Sequence, residues 1–424
     1  MTRHFKHIKT LFALAFMLGS GVLFSQNSQF NFLDYSLLSQ KDSSLKSNYI
    51  IDGNVLASSG NISGKMLHKL LFGGFIDEDL KKQTYEHLQS MGNRAGLQAN
   101  SNLTFVHDAS NIFGNNSILF EKLSYDNYSE IKFNEDLFKL VFSGNQDFLN
   151  KNIDLKNQSI VNFSTLGAHV GFAKRHDFQD FSHTWATSFS FLAANDGIFG
   201  NIENGNIHTD SNYYQTHIDA NYNLMRADTS NGFIKGNGAA LSLYYQLNYK
   251  DIWKFGLSAE NLGKIWWDNN SLSSNNEINL DFSGIEINDF NFLNSDENLS
   301  EDLDSLKNSL IYPSETKRFS TNLPARVGLF IDYKFSNNLN FTFRSLYYPN
   351  SLQTFESSLS VHWAAIKDRL WVSPFFYYSG YDLLRPSLEL SYRHNKHFYI
   401  KLGTYTFHKK SSTMGAYTAI AISF

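Results

Sequence analysis

The chain has 424 residues, 42% hydrophobic and 18% charged, with a formal net charge of −4 and no cysteine. The missing cysteines exclude a disulfide scaffold, a thiolate zinc site and a cysteine nucleophile. Beyond the first 25 residues no apolar run approaches the ~18 residues of a membrane helix, which excludes a helical membrane protein, and the lack of a long basic run argues against a nucleic-acid partner.

The chain opens MTRHFKHIKTLFALAFMLGSGVLFSQ. Arg3, Lys6 and Lys9 precede an apolar stretch from Leu11 to Phe24, the layout of a secretory signal peptide. Residues 1–25 are assigned to it, with cleavage near Ser25–Gln26. A stretch of ~14 apolar residues is short for a spanning helix. Losing this leader takes the formal charge from −4 to about −7.

Residues 26–95 read as an N-terminal plug or periplasmic segment. A helix is predicted from about Asp77 to Met91. Asp77 caps it, Glu78 and Asp79 suit its positive end, Leu80, Leu88 and Met91 share a face, and Gly92 stops it. GNISGKM (Gly60–Met66) superficially matches a phosphate loop, but the spacing is one residue short and Met66 stands where a hydroxyl is required.

From Gly96 to Phe424 one strand follows another, interrupted by a helix-prone stretch at Phe133–Leu149. Leu241, Leu243, Tyr245, Leu247 and Tyr249 alternate with Ser242, Tyr244, Gln246 and Asn248 before a turn at Lys250–Asp251. Val327, Leu329, Ile331, Tyr333 and Phe335 face one way; Arg326, Gly328, Asp332 and Lys334 face the other. Period-2 alternation of this kind marks strands with two different environments. Further strands run over Phe355–Trp363, Leu370–Tyr378, Ser387–Tyr392 and Phe398–Phe407, and the chain ends GAYTAIAISF. Turns such as SNN, KDR and HNK make these an antiparallel meander.

A long meander leaves two unpaired edges, which closure into a barrel removes. Arg326, Asp332, Lys334, Gln246 and Asn248 are improbable in a dry core, so the apolar faces are expected outside, against lipid. The expected fold is therefore all-β: an antiparallel transmembrane β-barrel of about 14 strands, 16 being the next even count, with a partly helical N-terminal segment. Arg326, Asp332 and Lys334 are the candidate lumen-facing polar residues, and as a salt-bridged ladder they would stiffen the wall. Trp266, Trp267, Tyr347, Tyr348, Tyr377, Tyr378, Tyr381 and Tyr399 are candidates for interfacial girdles. Phe424, Ile422 and Ile420, alternating along the last strand, form the candidate insertion signal. Barrel-assembly machinery and outer-membrane lipid are thus expected partners, and the bacterial outer membrane the expected location.

With both barrel ends at the periplasm, SNN, KDR and HNK become periplasmic turns. Lys250–Asp251 joins them only if Trp266–Leu323 is one long excursion, which is the reading adopted. Its acidic part, at about 289–319, is expected to be a partly helical extracellular loop, with Leu299, Leu303, Leu306 and Leu310 at helical spacing.

FNEDLFKLVFSGNQDF, GNGAALSLYYQLNYKDIWKFGLSAENLGKIWW and TNLPARVGLFIDYKF resemble an uncharacterised family of outer-membrane β-barrels predicted in Gram-negative bacteria. That family is distantly similar to the fatty-acid-transporter-like barrels, which include barrels associated with the type IX secretion system. The resemblance covers roughly Gly96 to Phe424 and implies the barrel and its location, with no catalytic residues. The chain lacks the Asn-Pro-Ala segment usual near the mature N-terminus of fatty-acid-transporter-like proteins.

No catalytic, cofactor or metal residues are expected. His394, His397 and His408 read as solvated turn histidines, and His169 or His183 beside a serine is the remaining hydrolase pattern. The function expected is a porin-like membrane protein that passes or binds a small molecule, hydrophobic molecules included. The alternative is a non-conducting barrel acting as an interaction scaffold, with another envelope protein of a secretion or surface-protein complex as partner.

Overall fold

The computed structural model describes residues 47–144, 146–211, 215–228, 232–282, 315–381, 384–395, 397–405 and 412–424. The expected leader, and the acidic loop up to residue 314, lie outside these residues. Fourteen antiparallel strands close into a ring. They are β1 (Ser47–Ser59), β2 (Asn93–Asp108), β3 (Ser117–Phe133), β4 (Gln158–Asp177), β5 (Phe181–Thr209), β6 (Gly236–Tyr249) and β7 (Trp253–Trp267). The second half comprises β8 (Arg326–Ser336), β9 (Leu339–Tyr347), β10 (Phe355–Ile366), β11 (Leu370–Tyr378), β12 (Arg385–Asn395), β13 (Phe398–Thr404) and β14 (Thr413–Ser423). Each strand pairs with its neighbours in chain order, and β14 pairs β1 from Asn48 opposite Ser423 to Ser58 opposite Thr413. The Phe424 N–H continues this seam, donating to the Ser47 carbonyl at 2.9 Å.

The barrel begins at Ser47, not near Gly96, which corrects the expectation that residues 26–95 form a separate segment. In β1, Tyr49, Ile51 and Val55 face outward and Asn48, Ile50, Asp52, Asn54 and Leu56 face inward. Gly53 breaks the outward apolar row and two apolar residues sit inward, so the alternation is weak in the sequence.

At one end the strands are joined by short turns, at 178–180, 250–252, 337–338 and 367–369, and there β1 starts and β14 stops. Lys250 and Asp251 both have positive φ (52° and 54°), the geometry of a tight type I′ hairpin. This turn lies at the same end as 337–338, as the single Trp266–Leu323 excursion requires. The opposite, loop end carries 60–92, 348–354 and the described parts of 134–157, 210–235 and 268–325. Here lie α1 (Gly64–Phe72), α2 (Glu78–Tyr85) and α3 (Glu135–Ser143). Ser63, Asp77 and Asn134 cap them, each side chain accepting a backbone N–H from the first turn. Met66, Leu67, Leu80 and Phe138 bury against Ala57, Ala95 and Phe133, so the helices cap part of the loop end. The helical segment follows β1 and lies at the end of the barrel opposite the one where β1 starts and β14 stops.

The outer surface is apolar. Leu123, Val170, Phe191, Leu243, Leu257, Leu359, Trp363 and Phe376 all point outward and are exposed. Near the turn end rings gather, with Tyr49 5.4 Å from Phe424 and Trp253 4.4 Å from Tyr333; Trp266, Tyr347 and Phe355 are exposed near the loop end. Most of the expected girdle rings turn inward. Trp266 and Tyr347 point out, while their neighbours Trp267 and Tyr348 are buried inside, as are Tyr377 and Tyr381. Tyr399 also turns inward, against the Phe120 cluster. Consecutive strand residues must point to opposite faces, so an aromatic doublet supplies one ring to each. Leu257→Arg is expected to destabilise the barrel in lipid by about 2–4 kcal/mol, the cost of a mid-bilayer cation, measured by urea unfolding in vesicles. A change within error would place that face out of lipid.

Candidate functional site: a polar constriction across the lumen

The inward side chains of β3 read, from turn end to loop end, Ile118, Phe120, Lys122, Ser124, Asp126, Tyr128 and Glu130. The lumen follows the same order. Phe120 lies in an apolar belt with Ile50, Val106, Ile118, Ala186, Tyr244 and Ala421. Gly171 makes this possible, because a Cβ there would sit 2.0 Å from the Phe120 ring.

Glu130 ends the series and is 3% exposed. Its Oε1 accepts from the Tyr381 hydroxyl (2.5 Å), the Ser351 hydroxyl (2.6 Å) and the Gln353 N–H (2.9 Å), and its Oε2 accepts from the Leu352 N–H (2.8 Å). These donors belong to the segments after β9 and after β11. In the closed ring β3 and β10 are seven strands apart in either direction. The 348–354 segment therefore folds inward and meets the opposite wall.

Other groups fasten it. Arg94 donates to the Leu352 carbonyl (2.8 Å), Gln98 to the Gln353 side-chain oxygen (2.6 Å), and Tyr128 to Ser351 (2.6 Å). Gln353 and Tyr377 both donate to Glu356 (2.9 and 3.0 Å). Gly60 and Gly96 leave room for Tyr381, since a Cβ at either would lie 2.5 Å from its carbonyl or hydroxyl oxygen. Burial and the Glu130 carboxylate raise the Tyr381 phenol far above its ordinary range, so it stays a donor.

Arg326 pairs with Glu260 directly across the β7–β8 ladder (Nε to Oε2, 2.5 Å), and Glu260 is 1% exposed. Asp332 accepts a hydrogen bond from the Thr342 hydroxyl, and Lys334 is exposed near the turn end. The three candidate lumen residues share the inner face of β8 but have separate surroundings, so no single ladder forms. A second charged group joins Lys401 and Glu389 (3.3 Å), with the Tyr417 hydroxyl on Glu389 (2.7 Å). Glu130, Glu260 and Glu389 were not singled out in the sequence. Their signal was an acidic residue on the inner face of each of three strands, with Asp126 accompanying Glu130 on β3.

His169 lies inside the barrel, its Nδ1 2.7 Å from the Ser190 hydroxyl and its Nε2 2.9 Å from the Ser124 hydroxyl. Ser124 gives its proton to Asp126 (2.8 Å), so His169 Nε2 is the donor and Nδ1 the acceptor. His362 repeats the pattern with Ser373 (2.7 Å) and Ser360 (3.1 Å). At His169 the ladder is continuous, His169 standing opposite Ser190 on β5 and Gly167 and Gly171 opposite Leu192 and Ser188. These are wall hydrogen bonds. His183 instead stacks on His176 at 5.1 Å near the turn end. His397 Nδ1 lies 2.8 Å from the Ser423 carbonyl, while His408 lies outside the described residues. Among the described residues no group of three or more His, Asp or Glu is arranged to hold a metal.

A closed antiparallel ring of fourteen strands, apolar outside and polar inside, defines a transmembrane β-barrel of the outer-membrane type. The chain belongs to the family of unknown function DUF5723, whose model matches residues 53–422. In fold it is similar to the toluene transporter TodX of P. putida, with 8% identity, a TM-score of 0.43 and 92% of each chain covered. It is also similar to the toluene transporter TbuX of Ralstonia pickettii (8% identity, TM-score 0.42, 89% of this chain and 88% of that one). A Pseudomonas aeruginosa FadL homologue matches at 10% identity and a TM-score of 0.38, over 89% of each chain. No curated protein matches the sequence.

Proposed function

We propose that the protein is an outer-membrane barrel admitting a small molecule through a lumen held shut by the 348–354 segment. The observation carrying this reading is Glu130, which receives four hydrogen bonds from two segments of the far wall. Sealing a wall needs no cross-lumen contact. A contact that must break for the lumen to open is what a gate requires. In the membrane, β14 presents Ile420 and Ile422 outward, with Phe424 beyond them, and we assign these to recognition by the barrel-assembly machinery.

The test is planar-bilayer conductance of the refolded mature protein against a variant with Ser351, Leu352 and Gln353 replaced by glycine. Wild type should be closed for most of the record, and the variant should conduct steadily. Silence in both would sink the gate. It would favour a non-conducting scaffold for another envelope protein, a reading supported by the buried inner side chains and by the sheet projecting from the loop end. That sheet pairs the upper half of β5 with Thr216–Arg226 and then Leu272–Phe282.

A further inference from the structure

Between the Phe120 belt and the Glu130 constriction, the β1–β2 wall carries amides that the protein leaves unbonded. Asn54 is 0% exposed and faces inward, and neither its Oδ1 nor its Nδ2 has a partner among the described residues. Its cross-strand neighbour on β2 is Asn100, also inward, whose Oδ1 is likewise unpaired. Buried polar atoms are nearly always bonded, so three unpaired amide atoms on two facing residues mark a place where something else completes them.

The surrounding groups are committed elsewhere. Tyr417, opposite Asn54 on β14, gives its hydroxyl to Glu389 (2.7 Å). Asp126, opposite Asn100 on β3, receives the Ser124 hydroxyl (2.8 Å), and Asn102 gives its amide to Asp52 (2.8 Å). The charges nearby are the Lys122 ammonium with the Asp126 and Asp52 carboxylates, the Lys401–Glu389 pair and the Arg326–Glu260 pair, so the cations do not outnumber the carboxylates. That balance disfavours an anion. A hydrocarbon would leave the amides unbonded.

We propose that Asn54 and Asn100 bind a small neutral solute rich in hydroxyl or amide groups as it passes between the apolar belt and the constriction. An amide with donor and acceptor both open matches a vicinal diol or a second amide. The proposal rests on the gated-barrel reading and narrows its cargo.

The experiment uses liposomes carrying the triple-glycine variant, with swelling driven by arabinose or by gluconate as probes of similar size. Arabinose is expected to enter about five-fold faster than gluconate. The isosteric Asn54→Asp change, made in that variant, should slow arabinose about five-fold, the worth of one hydrogen bond, while keeping KCl conductance. Asn54→Leu should do the same, and heat-modifiable gel migration checks that each variant is folded. Equal arabinose entry in all variants, with conductance intact, overturns the amide site and leaves the gate standing. If the triple-glycine variant does not conduct, the gate falls and crystals of wild type soaked in arabinose decide the site. Sugar density on Asn54 supports it; water alone, or amides bonded to protein, overturns it.

Discussion

Replacing Glu130 with alanine is expected to give steady ion conductance in planar bilayers where wild type is closed for most of the record. The carboxylate gathers the Tyr381 and Ser351 hydroxyls and the Leu352 and Gln353 N–H groups at one point. Without it all four donors lose a buried partner, and the 348–354 segment keeps its attachment to its own strands but loses its main hold on β3. Hydrogen bonds to a buried charge are worth about 1.5–3 kcal/mol each, and water entering the opened mouth offsets part of the loss. Urea unfolding should therefore show a net destabilisation of about 2–4 kcal/mol. Glu130→Gln should be intermediate, because its oxygen still accepts from the hydroxyls while its NH2 faces the Leu352 N–H. An alanine variant as silent as wild type, with unchanged unfolding, would remove Glu130 from any gating role.

Truncating Glu260 should cost more than removing any charge at the turn end. Glu260→Ala strands the Arg326 guanidinium inside the wall, and breaking a buried pair from one side typically costs about 3–5 kcal/mol. Replacing both residues, with Glu260→Met and Arg326→Leu, should recover most of that loss because no lone charge remains. Urea unfolding of the single and double variants measures the difference. A loss below about 1 kcal/mol for Glu260→Ala would mean that water screens the pair as it screens a surface one, and that the lumen beside it is open.

The outer face was legible because lipid imposes one rule on every strand. Val327, Leu329 and Phe335 are exposed and Gly328 and Phe330 buried, as the alternation of β8 requires. The helix cap at Asp77 was legible for the same local reason, and so was the helix-prone character of the Phe133–Leu149 stretch. The first strand was not, since its inward face mixes Asp52 and Asn54 with Ile50 and Leu56. The constriction was invisible because its partners are far apart in the chain: Glu130 and Tyr381 are separated by 251 residues. Neither residue is unusual where it stands, and only ring closure brings them together. Doublets such as Trp266–Trp267 did hold information about both faces, but the sequence does not say which ring points inward.

The bond network on Glu130 also has a mechanical meaning. A thin hoop deforms most easily by flattening along a diameter, and a single-layer barrel is such a hoop. β3 and β10 lie at opposite ends of one diameter, so the contact between them acts as a tie rod. It holds the cross-section round against lateral pressure from the bilayer. Cutting it changes the shape of the whole hoop, and a membrane of different thickness or tension then bears on the mouth through the wall itself.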